Sequence, residues 1–176
     1  MLQPSTELQL PALRAFSSAS NNAIGNAIAA LSVTPTQLGG FYAQPFRVPV
    51  DFDRSREARL FASIACNTAQ PQAAGNVQLD ALRGIAAAGL APVEATITVV
   101  QAIPAAWPFA NWLQVELGTP AAPFIPPSTI APNAILGFRL ARNGPATADT
   151  WTGALNLMIN LILRYHRLCQ FCDTCL

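Results

Sequence analysis

The sequence contains no lysine and little charge of either sign. Its 176 residues include ten basic residues, all arginine, and nine acidic ones, so that 11% of the chain is charged, against about 25% in a typical soluble domain. Hydrophobic residues make up 52% of the chain. So few ionic groups cannot cover a globular surface. Either much of the exterior is neutral and polar, or much of it is buried against other subunits, and we favour the second interpretation.

The scarcity of positive charge argues against nucleic acid as a partner. The formal net charge is +1, whereas nucleic-acid-binding domains concentrate lysine and arginine on one face. The arginines are scattered, and the densest run, Arg54 to Arg59, is interleaved with Asp51, Asp53 and Glu57. Nucleic acid is therefore not expected to bind this chain.

Long apolar runs and a secretory signal are also missing. The most apolar late stretch, Ala154–Leu163, contains Asn156 and Asn160 and is about half the ~20 residues that a membrane-spanning helix needs. The first residues, MLQPSTELQLPALR, place Glu7 where a signal peptide has basic and then apolar residues. We expect no membrane association, with the chain made in a cytoplasm and kept there until it assembles.

The residues of known catalytic motifs are absent as well. The chain has one histidine, His166, and no nucleophile elbow, zinc-protease helix, phosphate-binding loop or dinucleotide fingerprint. Asp51 and Asp53 lie among arginines, which is more typical of ion-paired rim residues than of an acid–base pair. The sequence therefore predicts a protein that is not an enzyme and holds no cofactor.

Residues 1–45 differ in pattern from the rest of the chain. The segment Ser17–Leu31 is small, polar and uncharged, and Ile24, Ile28 and Leu31 recur at helical spacing. This predicts a short helix with one narrow apolar stripe, which would be marginal alone. We interpret residues 1–45 as an arm whose helix docks on a neighbouring subunit through these three side chains.

From residue 46 onward the apolar residues alternate with polar ones, as in β-strands. Turn-forming clusters of Pro, Gly, Asn and Ser separate the runs, and this arrangement is typical of an antiparallel sandwich. The sequence predicts an all-β fold, an antiparallel β-sandwich or jelly roll of about seven to eight strands over residues 46–166. The runs begin near Phe46, Leu60, Val77, Thr96, Leu113, Leu136 and Leu155.

One aromatic cluster is a candidate binding surface. Trp107, Phe109 and Trp112 fall within WPFANW, between proline-stiffened loops. Such residues form platforms for sugars, and they equally form core or interface anchors. The low charge of the neighbourhood favours packing, so the three are candidates for an interface.

The last ten residues, 167–176, form a cysteine-rich tail. Cys169, Cys172 and Cys175 follow His166 at intervals of three, and His and Cys at such spacing can supply the four tetrahedral ligands of Zn²⁺. Free thiols or disulfides formed outside a reducing cytosol are the alternatives, and we favour them over a bound metal. Cys66, within an apolar strand, is interpreted as a small buried hydrophobe.

Three segments together resemble a known family. PFRVPVDFD (Pro45–Asp53), GNVQLDAL (Gly75–Leu82) and ILGFRLARNGPATADTWTGALNL (Ile135–Leu157) occur in this order. They are similar to a β-sandwich domain of tailed-phage virion proteins. The resemblance covers roughly residues 45–165 and includes no catalytic motif.

This resemblance implies a structural virion protein, typically trimeric. A capsid cement (decoration) protein that clamps the major capsid protein lattice is the first interpretation, with the arm tying down a neighbour. A receptor- or glycan-binding domain of a fibre or spike is the second, and a small adaptor organised by a metal in the tail is the third.

The loop between the last two predicted strands carries one further polar candidate. Asp149 can accept bonds from loop amides or pair with Arg139 or Arg142. A polar loop that holds two strands together is favoured over a binding site.

Overall fold

The computed structural model describes residues 5–17, 20–24, 28–69, 71–119, 122–127, 130–131 and 133–168, and within them every regular element longer than a turn is a β-strand. There are twelve such strands in the described residues. They are β1 (Ser5–Ser17), β2 (Ser20–Ile24), β3 (Ile28–Val33), β4 (Leu38–Ala43), β5 (Phe46–Arg47), β6 (Arg59–Cys66), β7 (Gly75–Ala86), β8 (Val93–Ile103), β9 (Trp112–Thr119), β10 (Ala122–Pro123), β11 (Ile135–Asn143) and β12 (Leu155–His166).

The strands form an antiparallel β-sandwich with the architecture of a jelly roll, as the alternation predicts. In one layer, sheet I, the order is β10-β9-β6-β12, and the far edge of β12 pairs first with β3 and then with β1. In the other layer, sheet II, the order is β1-β4-β11-β7-β8, with β5 extending β4 along β11. All described pairings between strands are antiparallel.

β1 belongs to both layers. Ser5 to Pro11 pair with β12, and a register shift after Ala12 hands the remainder of the strand to β4. Pro11 at the changeover lacks an amide donor, so no ladder bond is lost where the strand bends between sheets. This strand joins the two layers at one side of the sandwich.

The prediction of an N-terminal arm with a short helix is wrong. Beyond Ser17, the described residues of the segment predicted as helix lie in β2 and β3, which pair with each other, and β1 and β4 belong to the sandwich, with β1 joining its two sheets. The Ser, Asn and Ile residues of this segment have lower helix propensity than its alanines, and no i,i+4 ion pairs support a helix. Tertiary pairing of β3 with β12 decides the conformation. Residue 45 is therefore no structural boundary.

The core lies between the inner faces of the sheets. In β7 the residues alternate between buried and half-buried, while in β6 all residues after Arg59 are buried. Leu60, Ile64 and Cys66 of β6 face the core as predicted, with Cys66 buried among apolar neighbours. The opposite side of β6 is also covered, because Ala65 packs against Ala30, Ala110 and Met158 in a second small cluster.

Candidate functional site

The loop after β11 holds a buried ion pair, in which Arg142 is the partner of Asp149. The Arg142 guanidinium meets the carboxylate of Asp149 through Nη2–Oδ1 at 2.7 Å and Nε–Oδ2 at 2.9 Å, and both side chains are fully buried. Its other donors reach the carbonyl oxygens of Val33, Gly153 and Trp151 at 3.2, 2.7 and 2.7 Å. All five guanidinium donors are thus satisfied, which leaves none for a ligand.

The Asp51–Asp53 pair is likewise engaged by neighbours. Asp51 forms an ion pair with Arg167, and Asp53 Oδ1 accepts bonds from the hydroxyl and the amide of Ser55 at 2.6 and 3.0 Å. The Ser55 hydroxyl is the main cause that holds the pKa of Asp53 below its usual value. Both carboxylates lie in the turn between β5 and β6.

The candidate metal ligands are only partly described. His166 ends β12, with its Nδ1 3.2 Å from Nη1 of Arg56, while Cys169, Cys172 and Cys175 lie outside the described residues. Within residues 5–168 as described, the structure brings together no group of three metal-ligating side chains. The described part also contains no helix long and apolar enough to cross a membrane.

The structure separates the aromatic cluster. Trp107 is buried and packs against Trp151, with ring centroids 5.7 Å apart, so it is a core residue. Phe109 and Trp112 are 54% and 58% exposed. Of the arm candidates, Leu31 is buried in the core of its own subunit, and the side chains of Ile24 and Ile28 lie outside the described part.

Trp112 borders a groove of about 870 Å³ on the outer face of sheet I, which we call the Trp112 groove. The groove forms where β12 bulges: Leu157 pairs with Ile64 and Leu161 with Ala62, so β12 uses two residues more than β6. Bulges re-aim side chains in this way beside many binding sites. The lining consists of Gln9, Pro11, Ala29, Ser63, Trp112, Gln114, Met158, Ile159, Asn160 and Ile162, and none of these carries a charge.

The other end of the same face is charged. Arg164 pairs with Glu7 and Arg59 pairs with Glu116, an arrangement that spans β1, β12, β6 and β9 and that we call the charged ladder. The two guanidinium groups lie over the ring of Phe61, at 4.3 and 5.3 Å from its centroid. The outer face of sheet I is therefore divided into an ionic end and a neutral end.

A second groove, of about 540 Å³, lies on the outer face of sheet II and is called here the Tyr42 groove. One row of its side chains crosses three strands in register, with Arg14 on β1, Tyr42 on β4 and Arg139 on β11. The next row contains Gly137 opposite Gly84, followed by Glu94 on β8. No local sequence pattern reveals this groove, since its lining residues come from five strands and no two of the charged ones are close in sequence.

Comparisons with known proteins add no functional assignment. No protein-family model and no curated protein sequence matches the chain. Among solved structures, the chain is similar to the carbohydrate-binding module TmCBM61, solved with β-1,4-galactotriose, with a TM-score of 0.40, 9% identity, and coverage of 85% of this chain and 86% of the other. It is also similar to a structure of infectious bursal disease virus, Gx strain, with a TM-score of 0.34, 11% identity and 93% of this chain covered.

The chain spans 37% of the viral protein that it matches. Both TM-scores are below 0.5 and both identities are low, so neither likeness carries information about function.

Proposed function

We propose that this chain is a non-enzymatic structural protein of a virion, a capsid cement protein that trimerises and bridges capsomers of the major capsid protein. It would act on the outer surface of a phage head without a cofactor. The resemblance of the three segments to phage virion domains supports this. In the fold they are neighbours: Phe46 pairs with Leu136, and the amide of Gln78 donates to Asp149 Oδ2 at 3.1 Å.

The observation that carries the proposal is the neutral Trp112 groove. When a partner covers an exposed tryptophan among uncharged side chains, the desolvation cost is small and a large apolar ring becomes buried. Aromatic anchors of this kind dominate protein interfaces. The charged ladder beside it keeps one end of the face in contact with water. A neighbouring subunit or capsomer would cover the neutral end, in keeping with the low charge of the chain as a whole.

Cementing by such a protein is a multivalent effect. Each copy adds a modest interface, and many copies on a shell raise the cost of separating capsomers without any single strong contact. The sandwich, whose two layers are joined by β1, would be the stiff body that lies between the capsomers. The tie to a neighbour is assigned to the Trp112 groove, because β1 and β4 are engaged within the subunit.

The test compares two exposed aromatic residues. Trp112→Glu places a charge in the neutral groove, and Phe109→Glu places the same charge on an aromatic residue outside its lining. We expect wild type and Phe109→Glu to be trimers by light scattering and to decorate expanded heads in hundreds of copies. Trp112→Glu is expected to be a folded monomer that fails to decorate. A monomeric wild type that leaves expanded heads undecorated would refute the proposal.

Glycan recognition by a fibre or spike domain is the second candidate function. One observation favours it: the groove that the exposed Trp112 ring borders is also lined by the neutral amides of Gln9, Gln114 and Asn160. The amide groups that are not used in the Asn160–Gln9 and Arg164–Gln114 bonds can donate to and accept from sugar hydroxyls. Binding of neutral oligosaccharides that Trp112→Ala abolishes, with a few copies per virion at one vertex, would rank this function first. Phe109→Ala is the matched control.

A further inference from the structure

Two glycines pair with each other in the middle of sheet II at positions where neither the backbone conformation nor close packing requires glycine. Gly137 on β11 pairs with Gly84 on β7, neither has a positive φ, and a Cβ added to either would meet nothing within 4 Å. Glycine inside a strand weakens it, because glycine loses more conformational entropy on folding than other residues do and has no side chain to pack. Neither conformation nor crowding requires these glycines, and their effect is to keep the floor of the Tyr42 groove open.

The contrast with Gly40, on the adjacent strand of the same face, is direct. A Cβ at Gly40 would collide with the carbonyl oxygen of Leu140 and lie 2.6 Å from Cα of Ala141. Close packing therefore explains Gly40. The open space above Gly84 and Gly137 has no such explanation within the subunit.

Arg139 stands beside this floor with unused donor capacity. Its guanidinium lies over the ring of Phe16, 5.4 Å from the centroid, and its Nε is buried with no hydrogen-bond partner among the described residues. Phe16 in turn packs against Tyr42 with centroids 5.2 Å apart. The stack holds the planar guanidinium, whose paired donors match a carboxylate.

The charges of the lining favour an anionic ligand of small size. Arg14 and Arg139 flank Tyr42, and Glu94 stands at the opposite wall. At the floor of the groove the ladder bonds of β4, β11 and β7 are made on both edges, so a peptide strand laid across the floor would find no free backbone partners. The groove therefore offers side chains only: one guanidinium held by an aromatic stack, one exposed phenol ring and one carboxylate.

We propose that the Tyr42 groove is a binding site for a carboxylate-bearing sugar, of the uronic or sialic acid class. The sugar carboxylate pairs with Arg139, the apolar face of the ring packs on Tyr42, and hydroxyl groups donate to Glu94 above the glycine floor. This site is separate from the Trp112 groove, on the opposite layer of the sandwich. It adds recognition of an acidic glycan to the proposed structural role and does not depend on that role.

The test fills the floor of the Tyr42 groove with side chains that the fold is expected to accept. In Gly84→Val/Gly137→Val the side chains occupy the groove at positions where valine suits a strand, while Thr96→Val places a valine on this face outside the lining and leaves the side-chain volume nearly unchanged. Calorimetric titration uses two matched pairs, sialyllactose with lactose and trigalacturonate with its methyl ester. Because both variants are expected to keep the melting temperature of the wild type or raise it, a loss of binding reports on the groove.

We expect wild type and Thr96→Val to bind one acidic member at least about tenfold more tightly than its neutral partner, since charge-assisted bonds exceed neutral ones. The double valine variant and Arg139→Gln are expected to lose that preference. The ligand pair for which the wild type shows the preference identifies the acidic sugar as a sialic or a uronic acid. Equal binding of acid and neutral members, no binding of either acid, or wild-type binding by the filled variant would each overturn the proposal. A filled variant that instead changes the oligomeric state would overturn it in favour of an interface between copies.

Discussion

At the scale of single residues, the chain places its few charges in pairs whose surroundings differ greatly. Arg142 and Asp149 are fully buried, whereas Arg59 and Glu116 are partly exposed, with side-chain exposures of 42% and 24%. Removing one partner of a buried pair leaves an uncompensated charge, while an exposed pair is screened by water. The two pairs therefore form a matched comparison.

We expect Asp149→Ala to lower the free energy of unfolding by about 3–5 kcal/mol. Glu116→Ala is expected to cost about 1 kcal/mol or less, because Arg59 remains solvated. Urea titration of both variants measures the difference. Similar costs for the two substitutions would contradict the structural role assigned to the Arg142–Asp149 loop.

Asp53 gives a pH dependence whose direction follows from Ser55. The pKa of Asp53 is lowered in the folded state chiefly by the Ser55 hydroxyl, so the carboxylate stabilises the fold above its unfolded pKa. That contribution is lost as the pH falls through the folded pKa, below about 4. Ser55→Ala should raise the pKa of Asp53 toward its ordinary value, as measured by carbon NMR titration.

The stability difference between wild type and Ser55→Ala should then be largest at neutral pH. It should shrink as Asp53 becomes protonated. A difference that stays constant down to pH 2 would show that the hydroxyl acts through packing and not through the carboxylate.

At the scale of elements, β1 determines how the sandwich is closed. Its first half completes sheet I beside β12 and its second half completes sheet II beside β4. Leu10 is buried in the core while Leu13, at the register shift between Ala12 and Arg14, is 69% exposed. The same residue type on one strand thus has two environments.

Leu10→Ala is expected to destabilise the protein by about 2–5 kcal/mol, the usual cost of a cavity left by leucine. Leu13→Ala should change stability by about 0.5 kcal/mol or less, as for most surface substitutions. Thermal and urea unfolding of the pair measure both values. A negligible effect at Leu10 would restore the interpretation of the first residues as a detached arm.

At the scale of the whole molecule, the two ends of the described chain are bound together. Ser5 pairs with His166, and the segments between them return repeatedly to strands distant in sequence. Contacts of this kind must form together, because a single antiparallel pair has little stability alone. The described strands therefore form one packed sandwich with a groove on each of its two faces.

We therefore expect a single unfolding transition. Far-ultraviolet circular dichroism reports the strands, and tryptophan fluorescence reports the packed pair Trp107 and Trp151, so the two curves should coincide. Refolding is expected in the millisecond-to-second range that is usual for β-sandwiches. An early separate step in either signal would show that part of the chain folds independently.

The sequence by itself determined the fold class and most of the strands beyond residue 58. Alternation in segments such as Val77–Leu82 and Leu155–Tyr165 fixes which face meets the core, since successive side chains of a strand point to opposite sides. It also indicated that Asp149 belongs to a loop that joins strands. These features depend on residues that are close in sequence, so the local sequence pattern is enough to predict them.

The tertiary structure alone decided the course of residues 5–45 and the location of both grooves. The segment around Ile28–Val33 has no strong local preference, and pairing with β12 makes it a strand. Trp107 and Trp112 are five positions apart in one motif, yet only packing buries the first and exposes the second. Arg14, Tyr42, Glu94 and Arg139 come together because sheet register, which joins residues far apart in sequence, sets their distances.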